Sequence, residues 1–453
     1  MRLLLLLSLI GLGAVWAESK PPQTKPLDEL IFSQNLWSTD LVKIKEQFGS
    51  KKSKNDEKDR LGVSPQTLAR LKERGVDTSS MKVVLPELDW LSSAKEGLRT
   101  TRGGYSIKEK EVGEIVMRST EGKVSAISIS LYNRGDDELM GPSSYQNELE
   151  QWKTTLDNAL SVRPKSRNQR GSLPISGWIW QKNGTAFLLE GSLNRREKKA
   201  EFIRLRIAPL NATTAKKTTA RRGSLAERVV EDGSSVSLKG IPMVDQGDKG
   251  YCVVATVERV IRYYGRNFDQ HEMASLADTS NSGTTIDAME KAFRSITGKA
   301  NVRTIKLVEF DENQLKRDIR YYNRAAKKAE KPVFPYDVDE WYLSPSIFWS
   351  KVDPELFRQM KSEQNGFDVF NRKIKEYIDQ GVPICWTLVL GMFKEGDLPQ
   401  SFGGHMRLII GYDEEKKEII YSDSWGEGHE SKRMPADQAF CMTTALYAMV
   451  PTR

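Results

Sequence analysis

The chain has 453 residues, a formal net charge of +8 and three cysteines. This length suffices for two or three domains with ordinary cores, and three cysteines are too few for a disulfide framework, so at least one thiol is unpaired within the monomer. The positive excess lies before residue 236, where basic residues are scattered among acidic ones and match no nucleic-acid-binding motif. This pattern indicates a solvated surface and no nucleic-acid partner.

The first residues have the pattern of a signal peptide. Arg2 precedes an apolar run over residues 3–15, and Val15 and Ala17 are small residues at the positions that a signal peptidase recognises. The run is shorter than the roughly 18 residues that a membrane span requires, and no later segment approaches that length. We therefore expect residues 1–17 to be removed and the mature protein to be exported, either secreted or periplasmic, with no integral membrane segment.

Residues 18–79 are predicted to be a helical and linker segment. One or two short helices are expected in "LDELIFSQNLWSTDLVKIKEQF", followed by the charged linker "GSKKSKNDEKDR". Ser64 and Gly75 then mark the beginning and end of a further helix.

Residues 80–210 are predicted to form a separate small α+β domain. From about residue 112 the apolar period is two, and turns at 121–122 and 183–184 mark two hairpins with a helix between them. The pattern gives a strand pair, a helix and three more strands, without a catalytic constellation. The domain is therefore either a removable pro-region or a permanent module that binds substrate or a surface. Residues 211–235 are small, polar and basic, which is typical of a flexible linker.

The stretch "QGDKGYC" (246–252) introduces the region that carries candidate chemistry. Cys252 stands at the beginning of a helical apolar pattern that Gly265 ends. At a helix N-terminus the unsatisfied N–H groups and the dipole favour thiolate over thiol, which suits a nucleophile. A small buried cysteine at the start of a core helix is the alternative interpretation.

A histidine and a carboxylate follow in the order of a thiol triad. His405 begins an apolar strand in "GGHMRLIIGYD", and Asp423 ends another in "IIYSDSWG". The other histidines, His271 and His429, are predicted to be surface or structural residues. Three well-separated histidines give no metal-ligand cluster, and the chemistry requires no cofactor.

These motifs resemble those of papain-like cysteine peptidases. The family pattern "QGxCGSC" is matched at Gln246, Gly247, Gly250 and Cys252, while Lys249 replaces its first cysteine. The disulfide that the family normally makes at that cysteine must therefore be absent.

The second motif points to one branch of this fold. "DSWG" corresponds to the family's "NSWG", so Asp423 takes the place of asparagine. Aspartate at this position resembles more closely the bacterial bacteriocin-processing-like (peptidase C39-like) branch. The likeness covers about residues 236–453 and implies an α+β fold with a helical subdomain and an antiparallel sheet subdomain.

The resemblance implies a role for each matched residue. Cys252 would be the nucleophile, His405 its base and then the acid for the leaving amine, and Asp423 the group that orients the histidine. Gln246 and the Cys252 N–H would stabilise the oxyanion, and Trp425 would shield the histidine–aspartate hydrogen bond. The function expected is hydrolysis of a peptide or protein substrate by an exported thiol protease.

Other interpretations remain open at this point. Transglutaminase-like acyl transfer also uses Cys, His and Asp in this order, and a noncatalytic peptide-binding module is a third possibility. Gly283, in a loop resembling one that hydrogen-bonds substrate in papain-like enzymes, is a candidate substrate contact, as is Trp425. Cys385 and Cys441 lie in apolar runs, with a bridge between them left open.

Overall fold

Two large antiparallel sheets, each with its own apolar core, dominate the structure, which is a computed structural model. The structure describes residues 24–49, 88–92, 95–100, 104–134, 137–169, 174–210, 222–246, 250–266, 289–290, 293–294, 301–337, 344–396, 398–400 and 402–452. The mixed helix and sheet content predicted from the sequence is confirmed. Among the described residues, no helix is long and apolar enough to cross a membrane.

The N-terminal sheet has the strand order β2-β3-β6-β7-β11-β10-β9-β8 in the described part of the chain. Its strands are β2 (Leu88–Trp90), β3 (Gly97–Thr100), β6 (Ile115–Thr120), β7 (Lys123–Asn133), β8 (Lys165–Gln169), β9 (Ile175–Lys182), β10 (Thr185–Asn194) and β11 (Lys199–Pro209). The predicted turns at 121–122 and 183–184 join β6 to β7 and β9 to β10. Strand β8 was not expected, because it is exposed along its length and lacks apolar alternation.

Helices pack against one face of this sheet. Helix α3 (Pro142–Leu160) buries an apolar stripe against β9, β10 and β11, as its helical spacing predicts. Residues 24–49 add β1 (Lys25–Pro26), α1 (Asp28–Ile31) and α2 (Leu41–Phe48), and their apolar side chains join the same core. Strand β1 pairs with β4 (Tyr105–Ile107), which pairs with β5 (Lys110–Val112).

The C-terminal sheet has the order β12-β13-β16-β15-β19-β14. Strand β17 lies off this path and pairs with both β16 and β18. Its strands are β12 (Val229–Asp232), β13 (Ser235–Leu238), β14 (Val302–Glu309), β15 (Ile384–Leu390), β16 (Gly403–Asp413), β17 (Glu418–Ser422), β18 (Lys432–Pro435) and β19 (Thr443–Pro451). Strand β16 is almost entirely buried because β13, β15 and β17 pair with it and helices cover it.

The helices of this half are α4 (Cys252–Tyr263), α5 (Glu312–Lys328), α6 (Pro345–Trp349), α7 (Pro354–Ser362), α8 (Asn365–Ile378) and α9 (Ala436–Met442). Helices α4 and α8 pack against β16, while α9 packs on α7 and α8. Helix α4 is buried nearly all round, including the side chain of Glu258. Such a helix has neighbours on more than one face.

The segment predicted as a flexible linker, residues 211–235, is folded in its second part. Residues 222–228 form two short 3-10 helices, and β12 and β13 extend the C-terminal sheet by pairing with β16. Leu225 and Leu238 are buried in the C-terminal core, so their apolar burial outweighs the polar composition that suggested a linker. Residues 211–221 lie outside the described residues.

Candidate active site

Cys252 is the first residue of α4, as the sequence predicts. The helix begins there because the N–H of Ala255 donates a 2.9 Å hydrogen bond to the Tyr251 carbonyl, closing the first turn. All three cysteines are free, but Cys252 is partly exposed whereas Cys385 and Cys441 are buried. Burial raises the pKa of Cys385 to about 12 and that of Cys441 further, so both remain protonated thiols at neutral pH. The thiol suited to chemistry is therefore Cys252.

The sheet places His405 beside Asp423. His405 lies near the start of β16, and Asp423 follows β17, whose last residue, Ser422, pairs with Leu408 of β16. The His405 Nε2 and Asp423 Oδ1 atoms are 2.6 Å apart, and both side chains are fully buried. The antiparallel pairing thus brings together two residues that lie 18 positions apart in the sequence.

Charges around the ring favour its protonated form. Burial alone would lower the pKa of His405, but the charge and hydrogen bond of Asp423 and the nearby Cys252 thiol raise it to about 9. The opposite ring atom, Nδ1, has no hydrogen-bond partner of standard geometry among the described residues. The Cys252 thiol is near enough to the ring to raise its pKa, as is expected of a nucleophile beside its base.

Arg407 fixes the other oxygen of the carboxylate. Its Nε donates a 2.7 Å hydrogen bond to Asp423 Oδ2, and its Nη1 donates to Glu395 Oε2 at 2.9 Å. Arg407 lies two residues after His405 on β16, so both side chains project from the same face of the strand. Burial alone would raise the pKa of Asp423, but the charges of His405 and Arg407 hold it well below its usual range. Asp423 is therefore an anion throughout the neutral range.

Gln246 is held by the residue that follows the carboxylate. The Gln246 N–H donates a 2.8 Å hydrogen bond to the Ser424 carbonyl, and Ser424 Oγ donates one of 2.7 Å to Gln246 Oε1. The Ser424 N–H in turn donates to Asp423 Oδ1 at 2.8 Å. Because Oε1 of Gln246 accepts the serine proton, the Nε2 side of the amide is the side that can donate to an oxyanion.

Arg259 joins the helix of the thiol to the strand of the carboxylate. Its Nη1 donates a 2.8 Å hydrogen bond to the Asp423 carbonyl, its Nη2 donates to Ser422 Oγ, and its Nε donates to the Pro242 carbonyl at 2.9 Å. Burial lowers the pKa of Arg259 to about 10, so it remains a cation at neutral pH. One buried guanidinium therefore links three backbone segments of the site.

Trp425 covers the histidine. Its ring stacks on His405 with centroids 4.3 Å apart and planes 7° from parallel. His429 packs edge-on against Trp425, and its carbonyl accepts the Asp423 N–H at 2.8 Å. His429 therefore has a structural role, and burial followed by the charge of Lys432 lowers its pKa.

The structure thus brings Cys252, His405, Asp423 and Trp425 together and ties Gln246 to the same cluster. Gly283, Gly247 and His271 lie outside the described residues. In the described part of the chain, no group of three or more His, Cys, Asp and Glu side chains could hold a metal ion.

Three residues with clear contacts at the site are absent from the sequence prediction: Arg407, Arg259 and Ser424. Arg407 carried a usable signal, because its two-residue spacing from His405 in a strand places it on the same face. Ser424 lies inside the quoted "DSWG" motif without a role of its own. Arg259 carried no signal, because its partners come from segments distant in sequence.

Comparison with known protein families supports the motif assignment. Residues 240–327 match the Peptidase C39 family, and residues 349–447 match the Peptidase_C39 like family. The predicted resemblance to the C39-like branch of papain-fold cysteine peptidases is confirmed. No curated protein matches the chain.

Two solved structures are also similar to this chain. The peptidase domain of Streptococcus ComA, a bifunctional ABC transporter involved in a quorum-sensing pathway, is 14% identical, with 47% of this chain and 99% of that chain covered and a TM-score of 0.24. Xylellain, a cysteine protease from Xylella fastidiosa, is 14% identical, with 51% of this chain and 89% of that chain covered and a TM-score of 0.27. The assignment rests on the two family matches.

Proposed function

We propose that the C-terminal half of the chain hydrolyses peptide bonds as a cysteine peptidase. The observation that carries this proposal is that the His405 ring is hydrogen-bonded to the buried Asp423 carboxylate and also interacts with the Cys252 thiol. A histidine held by a buried anion and facing a thiol at a helix N-terminus favours a thiolate–imidazolium pair. The matches to the Peptidase C39 and C39-like families support the same chemistry.

The reaction follows from these groups. The Cys252 thiolate attacks the peptide carbonyl carbon, and Gln246 Nε2 with the Cys252 N–H stabilises the oxyanion. His405 donates its proton to the leaving amine as the C–N bond breaks, which leaves a thioester. His405 then takes a proton from water, whose oxygen attacks the thioester. The C–S bond breaks, the acid is released, and the thiolate–imidazolium pair is restored.

The proposal is tested with a broad peptide library under reducing conditions, with products identified by mass. Cleavage of internal peptide bonds by the wild type, lost in Cys252→Ala, supports hydrolysis. Adding an amine acceptor tests the transglutaminase-like alternative, because acyl transfer joins the amine to the peptide where hydrolysis adds water. Peptides that bind without any change of mass would instead indicate a noncatalytic module and would overturn the proposal.

Export is part of the proposal and is supported only by the pattern of residues 1–17. Mass analysis of the N-terminus of the chain recovered outside the cytoplasm of an expressing cell should give Glu18 as the first residue. Recovery of the uncut chain only inside the cell would contradict it.

A further inference from the structure

Polar contacts between described residues join the N-terminal sheet to the segment that carries the site. Asn133 Nδ2 at the end of β7 donates a 2.9 Å hydrogen bond to Tyr251 Oη, and both residues are buried. Arg118 Nη2 on β6 lies 2.7 Å from Glu258 Oε1 on α4. These contacts bridge residues more than 100 positions apart in the sequence.

Two further contacts reach the irregular segment just before Gln246. The N–H of Met243 donates a 3.2 Å hydrogen bond to Glu96 Oε2, and Arg99 Nη1 lies 3.7 Å from Asp245 Oδ1. Arg99 is fully buried and is also paired with Glu114 of its own sheet.

On the C-terminal half, these contacts lie beside the proposed site residues. Asp245 directly precedes Gln246, and Tyr251 directly precedes Cys252. Glu258 lies on the helix that Cys252 begins. The N-terminal sheet therefore contacts Asp245, the residue before the proposed oxyanion donor, and Tyr251, the residue before the proposed nucleophile.

The burial of α4 has the same cause. One side of this helix packs on β16, yet Glu258 is also buried, with its side chain 2% exposed. A carboxylate is rarely buried unless a cation accompanies it, and Arg118 from the N-terminal sheet is such a cation. Arg262, one turn further along, adds a longer contact of 3.9 Å to the same carboxylate from within the helix. The helix thus relies on both sheets.

We propose that the N-terminal sheet is a permanent part of the peptidase and positions its nucleophile, with Asn133 and Arg118 as positioning residues. This inference rests on the proposed function. Of the two roles that the sequence leaves open for this region, a removable pro-region and a permanent module, it favours the permanent module. A pro-region that is removed would take away Asn133, which hydrogen-bonds Tyr251, and Arg118, which pairs with Glu258. A sheet that stays in place would keep the thiol, the histidine and the glutamine at fixed distances from one another.

The first experiment measures the rate of alkylation of Cys252 by iodoacetamide between pH 5 and pH 9 in the full chain. This rate reports the thiol environment whether or not a peptide substrate is known. We expect Asn133→Ala and Tyr251→Phe each to slow alkylation at pH 6 by about 3- to 10-fold and to shift its pH profile, with a non-additive double variant. Asn168→Ala, on the exposed strand β8 of the same sheet, is the matched control and should leave the profile unchanged.

Arg118 supplies a rescue test within the same experiment. Arg118→Ala should slow alkylation, and Arg118→Lys, which keeps the charge beside Glu258, should recover most of the rate. With a cleavable peptide, the same variants should lower kcat by about 10-fold and change KM little, because the thiol is misplaced while the substrate cleft is intact. Thermal unfolding of each variant verifies that the chain is folded, and Tyr251→Phe replaces Asn133→Ala if the latter unfolds.

The second experiment addresses permanence. A specific protease site is placed within 211–221, and the purified full chain is cut there. Co-elution of the two fragments with an unchanged alkylation profile is expected. Fragments that separate, with the C-terminal fragment as reactive as the intact chain, would overturn the inference.

The two proposals fail in different ways. If no peptide is ever cleaved but Asn133→Ala alters the alkylation profile, the proposed hydrolysis fails while the positioning role stands. If peptides are cleaved and Asn133→Ala behaves like Asn168→Ala, the positioning role is wrong while hydrolysis stands.

Discussion

Ser424 Oγ donates a 2.7 Å hydrogen bond to Gln246 Oε1, and the Ser424 carbonyl accepts the Gln246 N–H. These two bonds fix both the backbone and the amide plane of the glutamine. The same serine N–H binds the Asp423 carboxylate. A single residue after the carboxylate therefore couples the proposed oxyanion donor to the proposed triad.

Removing this hydroxyl should loosen the oxyanion donor. We expect Ser424→Ala to lower kcat by about 10-fold with little change in KM, and Gln246→Ala to lower it by about 100- to 1,000-fold, since the glutamine itself donates to the oxyanion. Steady-state kinetics on one cleaved peptide measures both. Ser192→Ala removes another buried serine hydroxyl, which donates to the Pro174 carbonyl and not to a residue of the proposed triad, and should leave kcat unchanged. A kcat for Ser424→Ala equal to that of Ser192→Ala would contradict the coupling.

Thiol labelling should separate the three cysteines. At mildly acidic pH, brief exposure to an alkylating agent should label Cys252 alone, because Cys385 and Cys441 are buried and burial raises the pKa of each thiol. Peptide mapping by mass spectrometry reads the sites, and Cys252→Ala should remove the early label while the chain stays folded. Equal labelling of all three cysteines would show that Cys252 is not activated.

Arg407 should determine how much kcat/KM falls when the Asp423 carboxylate is replaced by a neutral amide. Oδ1 of Asp423 faces His405 and the Ser424 N–H, while Oδ2 accepts from Arg407. In Asp423→Asn we expect the amide oxygen to take the place of Oδ1, where it can still accept the hydrogen bond from the Ser424 N–H. The amide NH2 group then takes the place of Oδ2 and faces the Arg407 N–H, so that two hydrogen-bond donors face each other. We expect kcat/KM to fall by about 10- to 100-fold.

A double variant tests this explanation. Adding Arg407→Gln to Asp423→Asn supplies an acceptor for the amide and should restore part of the lost kcat/KM, even though Arg407→Gln alone lowers it. Additive losses in the double variant would refute the donor–donor clash as the cause.

The His405 ring should make stability depend on pH. Its pKa is raised to about 9, from an ordinary value near 6.5, so its contribution to the free energy of unfolding is fully present below about pH 6.5 and is lost as the pH rises through about 9. The difference in unfolding free energy between wild type and His405→Gln should therefore shrink from pH 6.5 to pH 9.5, as measured by denaturant unfolding.

His429 is the matched control for that measurement. Burial and Lys432 lower its pKa, so its contribution is present above the ordinary pKa and is lost as the pH falls through the lowered value. His429→Gln should thus show no loss on the alkaline side. An alkaline trend for His405→Gln no different from that of His429→Gln would contradict the raised pKa of His405.

The candidate triad could be proposed from local features of the sequence. Cys252, His405 and Asp423 carry short-range signals, because each stands at the end of a periodic segment and beside glycines or a recognisable motif. The hairpin turns at 121–122 and 183–184 were equally predictable, since turn chemistry is local.

The contacts that hold these residues in place come from segments that are distant in the sequence. Arg259 binds carbonyls of Pro242 and Asp423, which no periodicity relates to its helix. The folding of residues 222–238 into the C-terminal sheet depends on burial of Leu225 and Leu238 against distant strands. Asn133 and Tyr251 meet because the end of β7 lies against the residue that precedes α4. Local propensity and spacing act over a few residues, whereas such contacts depend on which surfaces the whole fold brings together.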